Sequence, residues 1–323
     1  MRAIVQREYG GPDTLRLEEI ERPAPGPGQV LIEVRAAGVE RGVEHLMTGV
    51  PLLLRLSYGL RRPKDPVRGR ELSGVVAAVG DGVTRFAIGD DVLGVAEGSF
   101  AEYAVADEAK LVSKPGSLTF VEAAALPISG ITALQGVVEV GGVRAGQEVL
   151  VTGASGGVGS FAVQIAKAHG ATVTAACSGT KADLVRALGA DHVVDREVED
   201  PLAGARRFDL VLDIAGNPPL RQLRRALRPG GTAVVVGGES ARGRLLAGFD
   251  RQIRAVLLSP FVRERLRMFV AGEDHARLAQ LVALVEAGTV RPFVGATYPL
   301  ADAPHALRDL AGGRARGKLV VTI

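Results

Sequence analysis

The sequence predicts an α/β protein in two parts: a β-rich domain of short strands, then a doubly wound parallel sheet, with the last residues returning to the first domain. Three observations predict it. The first ~120 residues break into short apolar stretches between closely spaced turn signals. From about Thr119 onward, strand and helix periodicities alternate. One glycine-rich loop, Thr152-Gly-Ala-Ser-Gly-Gly-Val-Gly-Ser160, stands where a strand gives way to a helix.

The composition admits this plan. The chain has 323 residues, enough for two ordinary domains, and 47% of them are hydrophobic, enough to fill a core. No apolar run approaches the ~20 residues that cross a bilayer. Residues 1–5 (Met-Arg-Ala-Ile-Val) read as a first strand and lack the long apolar stretch of a secretion signal. A cytoplasmic protein with no membrane partner is therefore expected. Cys177 is the only cysteine, so the chain can form neither an internal disulfide nor a cysteine-rich zinc site. The net charge of +3 comes from scattered residues, mostly arginine, with no basic run and no aromatic stacking set; no nucleic-acid partner is expected.

In the first part, residues 30–35 (Val-Leu-Ile-Glu-Val-Arg), 72–79 and 100–105 have strand length and composition. Gly10-Gly-Pro12, Pro25-Gly-Pro-Gly28, Gly80-Asp-Gly82 and Gly89-Asp-Asp91 separate them as turns. Short strands at this spacing suggest a small barrel or sandwich. Thr119, with Glu122 three residues later, has the pattern of a capping box and opens a helix. Residues 149–152 form a buried-type strand, 158–169 a helix with Phe161, Ile165 and Ala168 on one side, and 172–176 a second strand. A helix over 181–188, strands over 192–194 and 209–212, a helix over 220–227 and a strand over 232–236 continue the rhythm, which implies a parallel sheet covered on both faces. A last helix spans 275–287, and residues 318–323 return to strand character. The expected division is residues 1–121, completed by 289–323, against residues 122–288.

The glycine loop carries the most specific chemistry. Gly156 removes a side chain where backbone must approach a pyrophosphate, Gly159 lets the helix pack close to the strand, and the free amides of Ser155, Gly157 and Val158 together with the helix dipole favour an anion. The first glycine of the dinucleotide fingerprint is replaced by Ala154. The alternative is a plain tight turn between strand and helix. Enzymes that prefer NAD usually place an acid about 20 residues on, at the end of the next strand, to hold the ribose diol. Here that strand ends Cys177-Ser-Gly-Thr-Lys181. The hydroxyls of Ser178 and Thr180 and the charge of Lys181 suit a 2′-phosphate, so NADP(H) is the expected cofactor; alternatively, the segment only caps the helix that follows.

These motifs join others spread over nearly the whole chain: Met1-Arg-Ala-Ile through Gly10-Gly-Pro-Asp-Thr-Leu15, residues 38–49, Gly69-Arg-Glu-Leu-Ser-Gly-Val-Val76, Ala123-Ala-Ala-Leu-Pro127, Gly189-Ala-Asp-His-Val-Val-Asp195 and Gly312-Gly-Arg-Ala-Arg-Gly-Lys318. Together they resemble the medium-chain dehydrogenase/reductase superfamily, and within it the zinc-free quinone oxidoreductase branch and the bacterial proteins loosely called NAD(P)-dependent alcohol dehydrogenases. The resemblance implies a GroES-like catalytic domain interrupted by a Rossmann domain, with the cofactor in a cleft between them. It also implies a homodimer, and hydride transfer from NADPH to a quinone or to the β-carbon of an enone, a small apolar carbonyl substrate.

Zinc-dependent relatives need a cysteine in the active-site turn and a Gly-His-Glu motif. Here the turn has no cysteine and the motif reads Gly69-Arg70-Glu71, so no metal is expected. The zinc-free branch usually carries Asn and, three residues later, Asp in that turn. Glu40 and Val43 stand there instead. Glu40 is thus a candidate proton donor beside the nicotinamide, or a surface carboxyl paired with Arg41. Tyr58 is a second candidate donor, in an apolar segment, or a packing residue. Thr132 falls near the expected nicotinamide ribose, or packs a helix. Gly237 and Gly238, after the fifth strand, bring backbone close to the nicotinamide or form a simple turn. Asn217 follows the fourth strand, where open sheets bind ligands, and Lys318 reaches the cofactor or lies on the surface. The rival readings are a biosynthetic enoyl or ketone reductase, a tailoring enzyme with no net redox change, and an NADPH-binding sensor or interaction protein whose active-site turn has decayed.

Overall fold

The computed structural model describes residues 1–237, 246 and 249–323. The chain forms two compact units: Met1–Ile131 with Gly272–Ala287 and Pro292–Ile323, and Thr132–Ala271 with Gly288–Arg291. Among the described residues, no helix is long and apolar enough to cross a membrane.

In the first unit, β1 (Arg2–Val5) and β2 (Arg16–Glu19) form an antiparallel pair. The main sheet is built around β3 (Gln29–Val39), which is followed by α1 (Arg41–Thr48) and α2 (Arg55–Tyr58). Then come β4 (Glu71–Val79), β5 (Asp91–Val95), β6 (Tyr103–Asp107) and β7 (Leu111–Ser113). β3 pairs antiparallel with β4 and β6, and register shifts at Leu31/Ile32 and Val34/Ala36 bend it around the core. Ile32, Val34, Leu72, Val76, Val92 and Phe100 fill that core. The expected strands at 30–35 and 72–79 fall inside β3 and β4, whereas the one at 100–105 begins three residues later, because Phe100 and Ala101 bond to the Arg2–Val5 region instead.

Beyond β7, Thr119 and Glu122 complete the anticipated capping box and open α3 (Phe120–Ala124); α4 (Pro127–Leu134) follows. The second unit then runs β8 (Glu148–Thr152), α5 (Gly157–Ala168), β9 (Thr172–Cys177), α6 (Ala182–Ala187), β10 (His192–Asp195), β11 (Phe208–Asp213), α7 (Leu220–Ala226), β12 (Leu227–Val235), α8 (Phe249–Leu258) and β13 (Arg265–Met268). Its six strands are all parallel, in the order β10-β9-β8-β11-β12-β13. This is the doubly wound order, reversing direction between β8 and β11. Leu150, Phe208, Val211, Val235 and Leu266 pack beneath the helices. β13 has no clear signature in the sequence: its four residues alternate arginine with Leu266 and Met268, and it lies at the sheet edge.

The chain re-enters the first unit with α9 (His275–Glu286), capped by Asp274, and ends with β14 (Val294–Pro299), α10 (Ala303–Ala311) and β15 (Lys318–Thr322), which joins β3 antiparallel. The sequence reading grouped α9 with the parallel sheet. In the structure His275 Nδ1 bonds the carbonyl of Leu111 in β7 (2.8 Å), within the first unit. The short segment 288–291 belongs to the second unit. Gln164 of α5 holds it there: its Nε2 donates to the Arg291 carbonyl (3.0 Å) and its Oε1 accepts from the Arg291 amide (2.9 Å).

Candidate active site

In the second unit, the loop after β8 leads into the N-terminus of α5. Gly153 has φ +63°, a backbone region costly for any residue with a Cβ. It makes the tight turn that the fingerprint's first glycine would make, which is how Ala154 can occupy that position, fully buried with its amide on the Ala176 carbonyl (3.1 Å). A Cβ on Gly159 would collide with the Gly153 carbonyl and stand 2.6 Å from Ala154 Cα, so helix and strand approach as closely as glycine permits. A Cβ on Gly156 would meet only the Gly153 oxygen, at 3.4 Å, leaving the space over the helix end open. Gly156 caps α5 with no side chain, so the first-turn amides keep their donors for a ligand. Ser155 is buried, while Gly157 and Val158 are half-buried at this helix end. The residues present fit a dinucleotide pyrophosphate.

Thr152 fastens this loop to the next strand. Its hydroxyl accepts from the Ile214 amide (2.9 Å) and donates to Asp213 Oδ1 (3.2 Å). Asn217 is exposed in the loop after β11, one residue beyond Gly216 (φ +95°). Gly237 packs its backbone against the Ile214 carbonyl so closely that a Cβ would clash. Gly238 lies outside the described residues. Thr132 is half-buried in α4.

At the far end of β9, Ser178 opens a single 3-10 turn over Gly179–Lys181, with Thr180 exposed. The sequence showed no acid here, but the structure brings one. β10 pairs with β9 so that Asp195 lies beside Cys177, its carboxylate against Gly179. Periodicity cannot reveal this, because the residues are paired only by strand register. The same register brings up Arg196, whose amide bonds the Cys177 carbonyl (2.9 Å). Burial and then Asp195 push the Cys177 thiol up, while Lys181, Arg186 and Arg196 oppose them.

The first unit holds two charged clusters at the start of β4. Glu71 is fully buried, and it fits because its partner in register on β3 is Gly38, where a Cβ would run into the carboxyl. Glu71 accepts from the Ile128 amide (2.8 Å) and pairs with Lys318, which is 2% exposed and donates to Ser129 Oγ (3.0 Å). Burial pushes the Glu71 carboxyl up, and Lys318 pulls it back only in part. Lys318 is thus not on the surface: its ammonium is buried against Glu71 and Ser129.

Arg70, at the position where zinc-dependent relatives have histidine, gathers three carboxylates: Glu273 (2.7 Å), Glu97 (3.5 Å) and Glu40 (3.9 Å). Burial opposes its charge, but Glu40, Glu273 and Glu97 outweigh burial and push its pKa up. Glu40 is the N-cap of α1. Its oxygens accept from the amides of Gly42 and Val43 (the latter 3.0 Å), and the residue is buried. Glu40 thus lies 3.9 Å from the Arg70 guanidinium and caps α1, while Arg41 bonds Glu44 (2.8 Å). Tyr58 ends α2 at 40% exposure.

Comparison with known proteins gives consistent similarities. Residues 26–116 match the alcohol dehydrogenase GroES-like domain and residues 188–321 a zinc-binding dehydrogenase domain. The chain is 32% identical to a quinone oxidoreductase of Rattus norvegicus, covering 100% of this chain and 98% of that one. It is 37% identical to a spectinabilin polyketide synthase protein of Streptomyces orinoci over 94% of its own length, and spans 14% of that much longer protein. Among solved structures, a quinone oxidoreductase from Coxiella burnetii superposes with a TM-score of 0.88 at 28% identity, covering 100% of this chain and 99% of that one. A mycobacterial protein complexed with NADPH superposes at 0.82 and 28%, covering 100% of both.

Proposed function

The chain belongs to the medium-chain dehydrogenase/reductase superfamily, in its quinone oxidoreductase-like branch, and from that premise we propose that it is an NADPH-dependent, zinc-independent reductase of quinones or α,β-unsaturated carbonyl compounds. The observation that carries the cofactor half is the bare cradle at Gly153–Gly159: a positive-φ turn, a helix end with no side-chain cap, and a glycine that must stay a glycine. Lys181, Arg186 and Arg196, whose charges reach the end of β9, support NADP(H) over NAD(H), with Ser178 and Thr180 as hydroxyl partners of the 2′-phosphate.

When bound, the reduced nicotinamide supplies the hydride. This chain's residues supply placement. The amides at the N-terminus of α5 hold the pyrophosphate, and Thr152 keeps the loop after β8 in register with that after β11. Asn217, Gly237 and Thr132 are the proposed contacts of the nicotinamide half. With Glu40 committed to α1, Tyr58 or solvent is the proton source for the reduced substrate. Zinc independence rests on the donor set: one cysteine, buried in β9, and Arg70 where a histidine ligand would stand.

We read the active species as a cytoplasmic homodimer. Among the described residues β13 is the last strand of its sheet, and Phe261 and Val270, close to it in sequence, are 84% and 81% exposed. A biosynthetic enoyl reductase is the second reading, favoured by the similarity to part of a polyketide synthase protein. The test is calorimetric titration with NADPH and NADH, then loss of NADPH absorbance against a panel of quinones, enones and enoyl thioesters. Tight NADPH binding with turnover of quinones or enones is expected. Binding without turnover of any of the panel defeats the enzymatic reading, and no uptake of either dinucleotide defeats the cofactor reading.

A further inference from the structure

One buried group in the second unit is assigned no role above: the guanidinium of Arg251 in α8. Its side chain is 9% exposed and its Nη1 stands 2.6 Å from Asp213 Oδ2, at the fully buried end of β11. Nη1 also donates to the Pro218 carbonyl (3.1 Å) and Nη2 to the Gly237 carbonyl (2.8 Å). A single planar fork therefore grips three places at once: the end of β11, the loop after it, and Gly237, two residues beyond β12. Asp213 itself receives the Thr152 hydroxyl (3.2 Å), and its carbonyl accepts the Val236 amide (2.9 Å). The carboxyl ends of β8, β11 and β12 are thus laced to one arginine.

The place of this lacing in the sheet decides what it can do. Resting on the cofactor reading above, the pyrophosphate lies at β8, where the order reverses, and the adenosine end lies toward Ser178–Lys181 on β9. The nicotinamide end must then extend the other way, over β11 and β12, which follow at the usual ~4.8 Å strand spacing. Those are the strands whose following residues Arg251 holds. Pro218, whose carbonyl it binds, adjoins Asn217, and Gly237 is backbone packed on Ile214. We infer that Arg251 is a positioning residue for the nicotinamide half of the cofactor: it touches no ligand, but fixes the main chain of 214–218 and 237 against which that half lies. Lysine cannot replace it, because one ammonium offers no rigid fork to reach two carbonyls and a carboxylate together.

The experiment compares NADPH with 2′,5′-ADP, which carries only the adenosine end, on wild type, Arg251→Lys and the paired variant Asp213→Asn/Arg251→Met; NADH and ADP-ribose are run in parallel. The paired variant removes both charges and tests the lacing without leaving a lone buried ion. Melting without ligand reports the fold. Expected for both variants is an adenosine-fragment Kd within about twofold of wild type and a dinucleotide Kd weakened about tenfold or more, with kcat reduced for every substrate. If dinucleotide and fragment weaken equally, Arg251 supports the whole unit and the inference is wrong; if neither weakens, it is also wrong. Should Arg251→Lys not fold, the paired variant decides by the same comparison. Wild type that binds no dinucleotide overturns the cofactor reading and this inference with it, whereas wild-type binding with equal losses overturns this inference alone.

Discussion

Replacing Lys318 with Met should expose how much the first unit depends on a charge pair 247 positions apart in sequence yet wholly inside the fold. Glu71 is 0% and Lys318 2% exposed, so neither charge is hydrated. Removing the ammonium leaves the carboxylate with the Ile128 amide (2.8 Å) as its hydrogen-bond donor. Breaking a buried pair from one side costs about 3–5 kcal/mol. For a domain of this size that corresponds to a fall in Tm of about 6–20 °C. The loss has a definite pH dependence. The Glu71 carboxyl already sits above the ordinary carboxylate range, so the folded chain holds its proton more tightly than the unfolded chain. That stabilisation is complete below the ordinary value and is lost as pH rises through the folded-state value. Without Lys318 the folded-state value rises further, so Lys318→Met should be penalised less at pH 5 than at pH 8. Adding Glu71→Gln should recover part of the loss at pH 8. The assay is thermal unfolding of wild type, the single variant and the double variant at both pH values. A single variant that melts within about 2 °C of wild type at pH 8, or a loss equal at both pH values, would refute the reasoning.

Other outcomes follow from the site. Lys181→Ala should weaken NADPH binding by about 10–100-fold, the worth of one or two kcal/mol-scale charged hydrogen bonds, while leaving NADH nearly unchanged; parallel titrations check this. Gly159→Ala should abolish dinucleotide uptake, because its methyl is driven into the Gly153 carbonyl, while Gly156→Ala should fold normally and lose affinity. Glu40→Ala should cost about 0.5–2 kcal/mol of stability as a lost cap, read by denaturant titration, and Glu40→Gln should keep turnover within a few-fold. Tyr58→Phe should lower kcat by about 100-fold or more if the phenol delivers the proton, and by little if solvent does; a solvent isotope effect on kcat separates these.

Much of the fold is written in local pattern. Apolar runs of strand length between glycine turns mark β3 and β4, and the Thr119–Glu122 pair marks the start of α3 to the residue. The second unit is legible because its central strands β8, β9 and β11 are buried almost throughout and read as continuous apolar runs between helices. Less legible was whatever depends on register or on separation in sequence. Asp195 reaches the end of β9 only through strand pairing, and Arg251 meets Asp213 across an intervening helix and strand. Glu40 is ambiguous for a different reason. A carboxylate three residues before a helical amide is as good a cap as a catalytic acid, and only the direction of its oxygens separates the two. β13 is hard to read because an edge strand with alternating arginines looks like exposed loop.

The grip of Gln164 on Arg291 has a consequence of its own. The amide side chain meets both main-chain groups of one residue, as an adjacent strand would, and is indifferent to the side chain carried there. Position 291 is therefore open to any amino acid except proline, which has no N–H to give. Its neighbours have no such latitude: Val290 is fully buried and Gly288 has φ +69°, so within one short segment the tolerance for exchange differs from residue to residue.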